Sequence, residues 1–169
     1  MSENRKDLVI IGSGPAGLSA AVYGQRAMLD QVVIEKEMYS GGQIVTTEQV
    51  DNYLGLYGTN GYDLAVKFRE HADALGVSFH EGEVTTLEDH GEYKTVCFED
   101  GTKIDTKAVL VATGARHRML GAKGEKELAM AGVSYCATCD GAFFKGKEVA
   151  VVGGGDVALE DALYLSNLC

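Results

Sequence analysis

Two cysteines two residues apart, followed at once by an acid, are the residues of this chain best suited to chemistry. Cys136 and Cys139 lie in the stretch SYCATCDG, and Asp140 follows the second cysteine directly. At this separation the two sulfurs can join in a small disulfide ring that is readily reduced. A neighbouring carboxyl can move a proton on or off the thiolate that departs when the disulfide opens. The pattern therefore favours a redox-active pair with Asp140 as its acid–base group.

Other interpretations of this stretch stay open on the sequence alone. A zinc site needs four ligands, usually in two close pairs, whereas Cys97 and Cys169 are single and no histidine lies near the pair with zinc-finger spacing. The two thiols could also be buried and inert, and Asp140 could be a helix-capping acid at the turn into residues 141–144. The histidines are scattered along the chain, so we predict ordinary surface residues and no metal site.

A glycine-rich turn near the N-terminus is the second candidate site. Residues 7–11 form an apolar run that predicts a buried parallel strand, and a helix of small residues is predicted from about 15 to 28. Between them lies GSGPAG, the G-x-G-x-x-G pattern, whose glycines permit the tight turn, the approach of a pyrophosphate and the packing of helix on strand. The helix N-terminus supplies N–H donors for the phosphates. The candidate binding residues are Gly12, Ser13, Gly14, Pro15, Ala16 and Gly17.

An acid stands where such a site needs one. Residues 31–35 predict the next strand, and Glu35 ends it roughly 20 residues after the first glycine of the turn. An acid in this place binds the ribose hydroxyls of an adenosine. Strand, turn, helix, strand and acid together indicate a β-α-β unit that binds a dinucleotide. The alternative is a glycine-rich turn used only for packing.

A second strand–turn–helix pattern follows the cysteines. Residues 148–152 predict a strand, and Gly153, Gly155 and Ala158 give the G-x-G-x-x-A variant of the dinucleotide-binding turn. Asp156 places a negative charge at the end of the helix that favours anions, which weakens the grip on a phosphate. These four residues are candidates for a second dinucleotide site, and we expect its helix to be cut short soon after it begins.

The elements between these sites complete a predicted α/β fold. We predict a helix capped by Asn60 and running to Leu75, strands at residues 77–79, 83–87, 93–98, 103–105 and 108–112, and a linker near residues 116–124. Strands that alternate with helices indicate parallel pairing and β-α-β units. We therefore expect two Rossmann-like parts, one before the linker and one beginning after it.

Composition and charge narrow the class of protein. The chain has 169 residues, 46% of them hydrophobic and 24% charged, with a formal net charge of −10. It can therefore bury a core, and its charge would repel a phosphate backbone, so we expect no nucleic-acid partner. The first residues contain too short an apolar run for a signal peptide, and no stretch approaches the roughly 20 apolar residues of a membrane span. We expect a cytoplasmic protein that does not bind a membrane.

The chain resembles the low-molecular-weight flavoprotein thioredoxin reductases over essentially its whole length. The stretches that carry the resemblance are IIGSGPAGLSAAVY, GGQI, TTEQVDNY, ATGA, SYCATCDG and VVGGGDVALEDALYLSN, in this order. The resemblance implies a homodimeric thioredoxin-disulfide reductase with thioredoxin as its protein substrate. Residues 1–115 would be the N-terminal portion of a three-layer Rossmann-like FAD-binding domain. Residues 116–169 would be the start of an inserted Rossmann-like domain that binds NADPH and carries the cysteines.

The same resemblance implies which residues hold the cofactors. The glycines of the first turn would receive the FAD pyrophosphate, and the second glycine turn would receive NADPH. Beyond the first turn, the implied FAD site consists of Glu35, Gly42, Gln43, Asn52, Thr113 and Gly114. Glu35 would bind the adenosine ribose, while Gly42 and Gln43 would lie along the flavin side of the cofactor with Asn52 nearby. The last two residues would close the site.

The resemblance also implies an order of events at the cysteines, and it has departures. Cys139 would face the flavin, Cys136 would attack the disulfide of thioredoxin, and Asp140 would be the acid–base group. Val157 stands where many relatives carry Ser or Thr, so a hydroxyl donor to the NADPH phosphates is missing. Two alternatives stay open: a related reductase that uses ferredoxin or another donor, and a non-catalytic nucleotide-binding module that senses redox state. Family members continue for roughly 100–150 further residues, so we expect this chain to be their N-terminal part.

Overall fold

The first strand, β1 (Lys6–Ile11), lies inside a mixed six-stranded sheet. The computed structural model describes residues 5–129 and 131–169, and the chain divides into two units, Met1–Ala115 and Arg116–Cys169. The sheet belongs to the first unit, and its order is β3-β2-β1-β6-β5-β4. Its other strands are β2 (Gln31–Glu35), β3 (Phe79–Glu81), β4 (Val84–Asp89), β5 (Lys94–Phe98) and β6 (Lys103–Val111).

Parallel pairing gathers the candidate cofactor residues at one edge of this sheet. β1 pairs in parallel with β2 and β6, and β2 pairs in parallel with β3. Because the carboxyl ends of parallel strands meet at the same edge, the residues that follow β1, β2 and β6 become neighbours there. The first glycine turn, Glu35 and Thr113 lie at these three strand ends.

The helices of the first unit cover one face of the sheet. Ile10 of β1 and Val33 of β2 are fully buried against Leu18 of α1 (Pro15–Arg26) and Ala72 of α2 (Gly61–Ala74). The next side chains along the same strands point to the opposite face, as expected for strands that are buried on both sides. The first layer of the unit is therefore helical, with the sheet as the second.

The antiparallel strands fold back over the second face of the sheet. Val96 and Phe98 of β5 join a buried cluster with Val9 of β1. The rings of Phe98 and His80 lie 4.8 Å apart between centroids, although three strands separate β5 from β3 in the sheet order. The contact requires the sheet to curl, so that its antiparallel part forms a third layer. The predicted α/β class is thereby confirmed.

Helix α2 begins and ends close to its predicted bounds. The side-chain oxygen of Asn60 accepts a hydrogen bond of 2.8 Å from the N–H of Asp63, which satisfies one of the free donors of the first turn. This confirms Asn60 as the cap. Helix α1 ends at Arg26, slightly earlier than expected, and Met28 beyond it takes a positive φ of 59°.

The predicted pair of strands at 103–105 and 108–112 is one continuous strand, so that prediction was wrong. Polar Thr106 interrupted the apolar pattern, yet it is fully buried. Its hydroxyl donates a 2.9 Å hydrogen bond to the carbonyl of Ala108, so its burial leaves no unpaired donor. The strand predicted at 77–79 begins only at Phe79, because the N–H of Val77 donates to Ala72 at the end of α2.

The second unit contains α3 (Ala137–Asp140), a 3-10 turn (Gly141–Phe144) and α4 (Asp156–Leu165). The strand predicted at residues 148–152 is absent from this described segment, and a strand exists only where a second strand pairs with it. The expectation that α4 is cut short was also wrong, because it runs for 10 residues and ends at Leu165. Among the described residues no helix is long and apolar enough to cross a membrane.

Candidate functional site

Two glycines of the first turn, residues 12–17, are required by the protein's own backbone. Gly12 has a φ of +105°, and a Cβ added there would lie 2.4 Å from the carbonyl oxygen of Ala112. A Cβ at Gly17 would lie 1.9 Å from the carbonyl oxygen of Gly12. Both distances are far below van der Waals contact, so α1 packs this tightly on β1 only with glycine at these positions.

Gly14 has a different reason to be glycine. Its backbone is extended, with φ −69° and ψ 178°, a conformation open to any residue. A Cβ added there would meet nothing closer than Cα of Gly42, at 4.0 Å. The fold therefore leaves a cradle beside Gly14 that a side chain would fill. A close-approaching ligand accounts for glycine here where packing does not.

The N-terminus of α1 opens toward this cradle. Gly14 is its N-cap, Pro15 fills the first helical position, and within the described chain the first turn carries no acid and no side-chain cap. The uncapped N–H groups and the positive end of the helix dipole are thus available to an anion. A dinucleotide pyrophosphate fits both the charge and the open space of this site.

Glu35 accepts four hydrogen bonds, two of them from Ser13 of the first turn. The hydroxyl and N–H of Ser13 donate to one carboxylate oxygen at 2.5 and 2.9 Å. The N–H groups of Lys36 and Glu37 donate to the other at 2.8 and 2.9 Å. Burial raises the pKa of Glu35, but these hydrogen bonds outweigh it and leave the pKa below its ordinary value of 4.5. The carboxylate is therefore ionised and oriented at neutral pH.

The remaining first-unit candidates are Gly42, Gln43, Asn52, Thr113 and Gly114. A Cβ on Gly42 would lie 3.4 Å from Cα of Gly14, and a Cβ on Gly12 would lie 3.3 Å from Cα of Thr113. The side-chain amide of Gln43 donates to the carbonyl of Ala115, the residue directly after Gly114. Asn52 lies in an exposed loop and makes no hydrogen bond to these candidates within the described residues.

The cysteine pair forms a disulfide. Cys136 and Cys139 are bonded, with their Cα atoms 5.3 Å apart, and Cys139 is exposed while Cys136 is half-buried. The sulfur of Cys136 accepts a 3.3 Å hydrogen bond from the N–H of Cys139 at the start of α3. The interpretation as buried, inert thiols was therefore wrong. An exposed disulfide is open to attack by an external thiolate.

Asp140 does not act as a helix cap. The 3-10 turn that follows it has no side-chain cap, so that interpretation was wrong. Its carboxylate instead accepts a hydrogen bond from the hydroxyl of Ser134. Ser134 lies two positions before the first cysteine, and no sequence pattern indicated that its hydroxyl reaches Asp140.

The second turn, residues 153–158, has glycine where packing requires it. Gly153 has a φ of +138°, and a Cβ there would lie 3.0 Å from Cβ of Ala158. Gly155 is the N-cap of α4, and a Cβ there would meet nothing within 4 Å. Asp156 stands in the first helical turn, where its charge opposes that of an incoming phosphate.

The comparisons with known proteins agree with this geometry. Residues 6–169 match the family model described as pyridine nucleotide-disulphide oxidoreductase. The thioredoxin reductase of Bacillus subtilis is 48% identical over 169 residues, which cover 99% of this chain and 52% of that protein. The thioredoxin reductase of Streptomyces coelicolor is 44% identical over 96% of this chain and 51% of that protein. The chain thus spans about half the length of the curated relatives it matches.

The solved structures give the same family. The crystal structure of thioredoxin reductase from Streptococcus pyogenes matches with a TM-score of 0.89 and 44% identity, over 99% of this chain and 54% of that one. A ferredoxin-flavin thioredoxin reductase from Clostridium acetobutylicum matches with a TM-score of 0.64 and 33% identity, over 98% of this chain and 56% of that one. The chain belongs to the pyridine nucleotide-disulphide oxidoreductase family.

Proposed function

We propose that the complete protein is an FAD-dependent thioredoxin-disulfide reductase, which passes electrons from NADPH to the disulfide of thioredoxin. The observation that carries the proposal is the disulfide of Cys136 and Cys139, with Cys139 exposed and Asp140 directly after it, in a chain that also has a glycine turn of the dinucleotide-binding pattern. The similarity to thioredoxin reductases supports thioredoxin as the substrate. The proposal includes a cytoplasmic homodimer.

Residues 1–115 are the N-terminal portion of the FAD-binding domain in this proposal. The N–H groups at the start of α1 bind the pyrophosphate in the cradle beside Gly14, and the ionised Glu35 binds the adenosine ribose. Gly42 and Gln43 lie along the flavin side, with Asn52 nearby. Thr113 and Gly114 close the site.

Residues 116–169 are the start of the NADPH-binding domain. The first turn of α4 follows Gly155, and the open space there admits a phosphate as the cradle at Gly14 does. Gly153 and Ala158 hold helix against turn. Asp156 lowers the affinity of this site for the pyrophosphate, because its charge stands at the helix end where the anion binds.

The cysteines carry electrons to the substrate. FAD, when bound, supplies the two electrons that reduce the Cys136–Cys139 disulfide to a dithiol. Asp140 takes the proton of the Cys136 thiol, and the resulting thiolate attacks one sulfur of the thioredoxin disulfide. The other substrate sulfur departs as a thiolate that takes this proton from Asp140. The Cys139 thiol then loses its proton and attacks the sulfur of Cys136, which restores the disulfide and releases the second substrate sulfur as a thiolate that takes up a proton.

The test uses the complete protein loaded with FAD. We expect NADPH oxidation that requires thioredoxin and yields two thiols per NADPH. Cys136→Ser should abolish it, and Cys169→Ser, a matched change at a cysteine outside the pair, should leave it intact. Exchange of the disulfide with thioredoxin without turnover would instead identify a redox-sensing module, and the enzyme proposal would be wrong.

A second candidate function keeps the chemistry and changes the donor. Asp156 in the first turn of α4 disfavours the NADPH phosphates, and the match to a ferredoxin-flavin thioredoxin reductase favours a protein donor. Stopped-flow mixing of the complete flavoprotein with NADPH decides between them. Rapid flavin reduction supports NADPH as the donor, whereas reduction by a ferredoxin alone supports the second candidate.

A further inference from the structure

One hydroxyl group joins the acid–base residue to the cysteine loop. The hydroxyl of Ser134 donates to the carboxylate of Asp140, and its oxygen accepts a 3.0 Å hydrogen bond from the N–H of Cys136. The carbonyl of Cys136 is also within reach, at 3.3 Å. A hydroxyl has a single proton to donate, and a nearer, charged acceptor is the stronger partner. The hydroxyl of Ser134 therefore donates its hydrogen bond to the carboxylate of Asp140.

We propose that Ser134 is a positioning residue for Asp140 during thiol–disulfide exchange, a role that rests on the proposed function. Asp140 caps no helix, so no capping hydrogen bond fixes its side chain. The bond from Ser134 holds one carboxylate oxygen and leaves the other oxygen for the substrate. Ser134 also accepts a hydrogen bond from the N–H of Cys136. The Asp140 carboxylate is therefore fixed relative to Cys136, the residue whose sulfur attacks the substrate.

The step that Ser134 assists is balanced in atoms and electrons. The Cys136 thiolate forms a bond to one substrate sulfur while the substrate S–S bond breaks, and the electron pair of that bond leaves on the second sulfur. The Asp140 carboxylate, which the hydroxyl of Ser134 holds, takes up the proton that the Cys136 thiol loses and gives it to this sulfur. The substrate is reduced and the dithiol is oxidised once Cys139 has closed the disulfide again.

We expect the hydroxyl of Ser134 to affect the rate of thiol–disulfide exchange and not the stability of the fold. Ser134 is exposed, and a hydrogen bond in contact with water contributes little to stability because water replaces it. A mispositioned acid, in contrast, loses part of the factor of 100 or more that general acid–base catalysis typically supplies. Removing the hydroxyl should therefore slow exchange in a protein that folds normally.

The experiment is a double-mutant cycle in the complete FAD-loaded protein. We expect Ser134→Ala to lower kcat for thioredoxin reduction about tenfold with KM nearly unchanged, and Ser134→Thr, which keeps the hydroxyl, to restore most of it. In an Asp140→Asn background the same change to alanine should have an effect below about twofold, because the group that Ser134 positions is already lost. Ser166→Ala is the matched control, since Ser166 is also exposed and bonds a backbone carbonyl, at 2.8 Å.

Several outcomes would overturn the inference. These are an unchanged kcat in Ser134→Ala, an equal effect of that change in the presence and absence of the Asp140 carboxylate, or full activity of Asp140→Asn. A second readout separates this result from failure of the proposed function: oxidation of the reduced dithiol by hydroxyethyl disulfide, followed as loss of free thiols. If thioredoxin is not a substrate but this small disulfide shows the same non-additive cycle, the role of Ser134 stands and the proposed function is wrong.

Discussion

We expect alanine to have opposite effects on folding and on FAD binding at Gly14 and at Gly17. A methyl group at Gly14 would have open space around it, with the nearest atom beyond the adjacent residues, Cα of Gly42, at 4.0 Å. A methyl group at Gly17 would lie 1.9 Å from a backbone oxygen. The first change should spare the fold and impair FAD binding, whereas the second should impair the fold itself.

The magnitudes follow from these distances. At Gly17 the helix would have to move by roughly 1 Å or more, and overpacking of this kind costs about 1–3 kcal/mol. Alanine regains at most about 1 kcal/mol of helix propensity there, so the clash prevails. At Gly14 an extended N-cap accepts alanine at about 1 kcal/mol or less. The methyl group in the pyrophosphate's path should raise the Kd for FAD by roughly 10- to 100-fold.

The assay measures stability and cofactor affinity separately on the complete protein. Thermal denaturation of the FAD-free form reports the fold, and a titration with FAD reports the Kd. We expect Gly14→Ala to denature at the same temperature as the wild-type protein and to bind FAD weakly. We expect Gly17→Ala to denature at a temperature several degrees lower. Wild-type FAD affinity in Gly14→Ala, or wild-type stability in Gly17→Ala, would refute the assignment of cradle and packing roles.

Three further perturbations test other parts of the chain. Cys136→Ser and Cys139→Ser should both keep bound flavin and lose thioredoxin reduction, and Cys139→Ser alone should change the flavin absorbance spectrum; turnover by either variant would exclude the dithiol route. Asn60→Ala should lower the free energy of unfolding by about 1 kcal/mol, because it removes the cap of α2, while Asn60→Ser should keep most of it in the same denaturation assay. Because its hydrogen bonds lower the pKa of Glu35, this residue stabilises the fold above pH 4.5, and the contribution is lost as the pH falls through the lowered pKa. Glu35→Gln should therefore destabilise the protein at pH 7, with a smaller difference near pH 3 in urea denaturation.

Features that depend on neighbouring residues could be predicted from the sequence. The cap at Asn60 acts on Asp63, three residues away, and the turn residues act on the strand and helix that they join. The two cysteines are close enough in the chain to meet without help from the rest of the fold. In each case the local spacing alone fixes which atoms can come together.

Features that depend on distant contacts could not be predicted. β6 is one continuous strand because the buried hydroxyl of Thr106 has a hydrogen-bond acceptor. The interrupted apolar pattern of the sequence does not reveal this acceptor. Residues 148–152 have the composition of a strand, yet a strand also needs a partner, and Val152 is 67% exposed among the described residues. Apolar composition predicts where a strand can form, whereas pairing determines whether it does.

The candidate site is set apart by residues that the fold itself does not require. Gly12 and Gly17 would be glycine in any protein with this turn, because backbone atoms occupy the space of a side chain. At Gly14 the fold leaves room for a side chain, so the proposed approach of a ligand accounts for glycine there. The same reasoning applies to Ser134 and Asp140, whose hydrogen bond lies at the surface, caps no helix and contributes little to stability. A charged hydrogen bond of that kind, beside an exposed disulfide, serves the reaction of the sulfurs and not the folding of the chain.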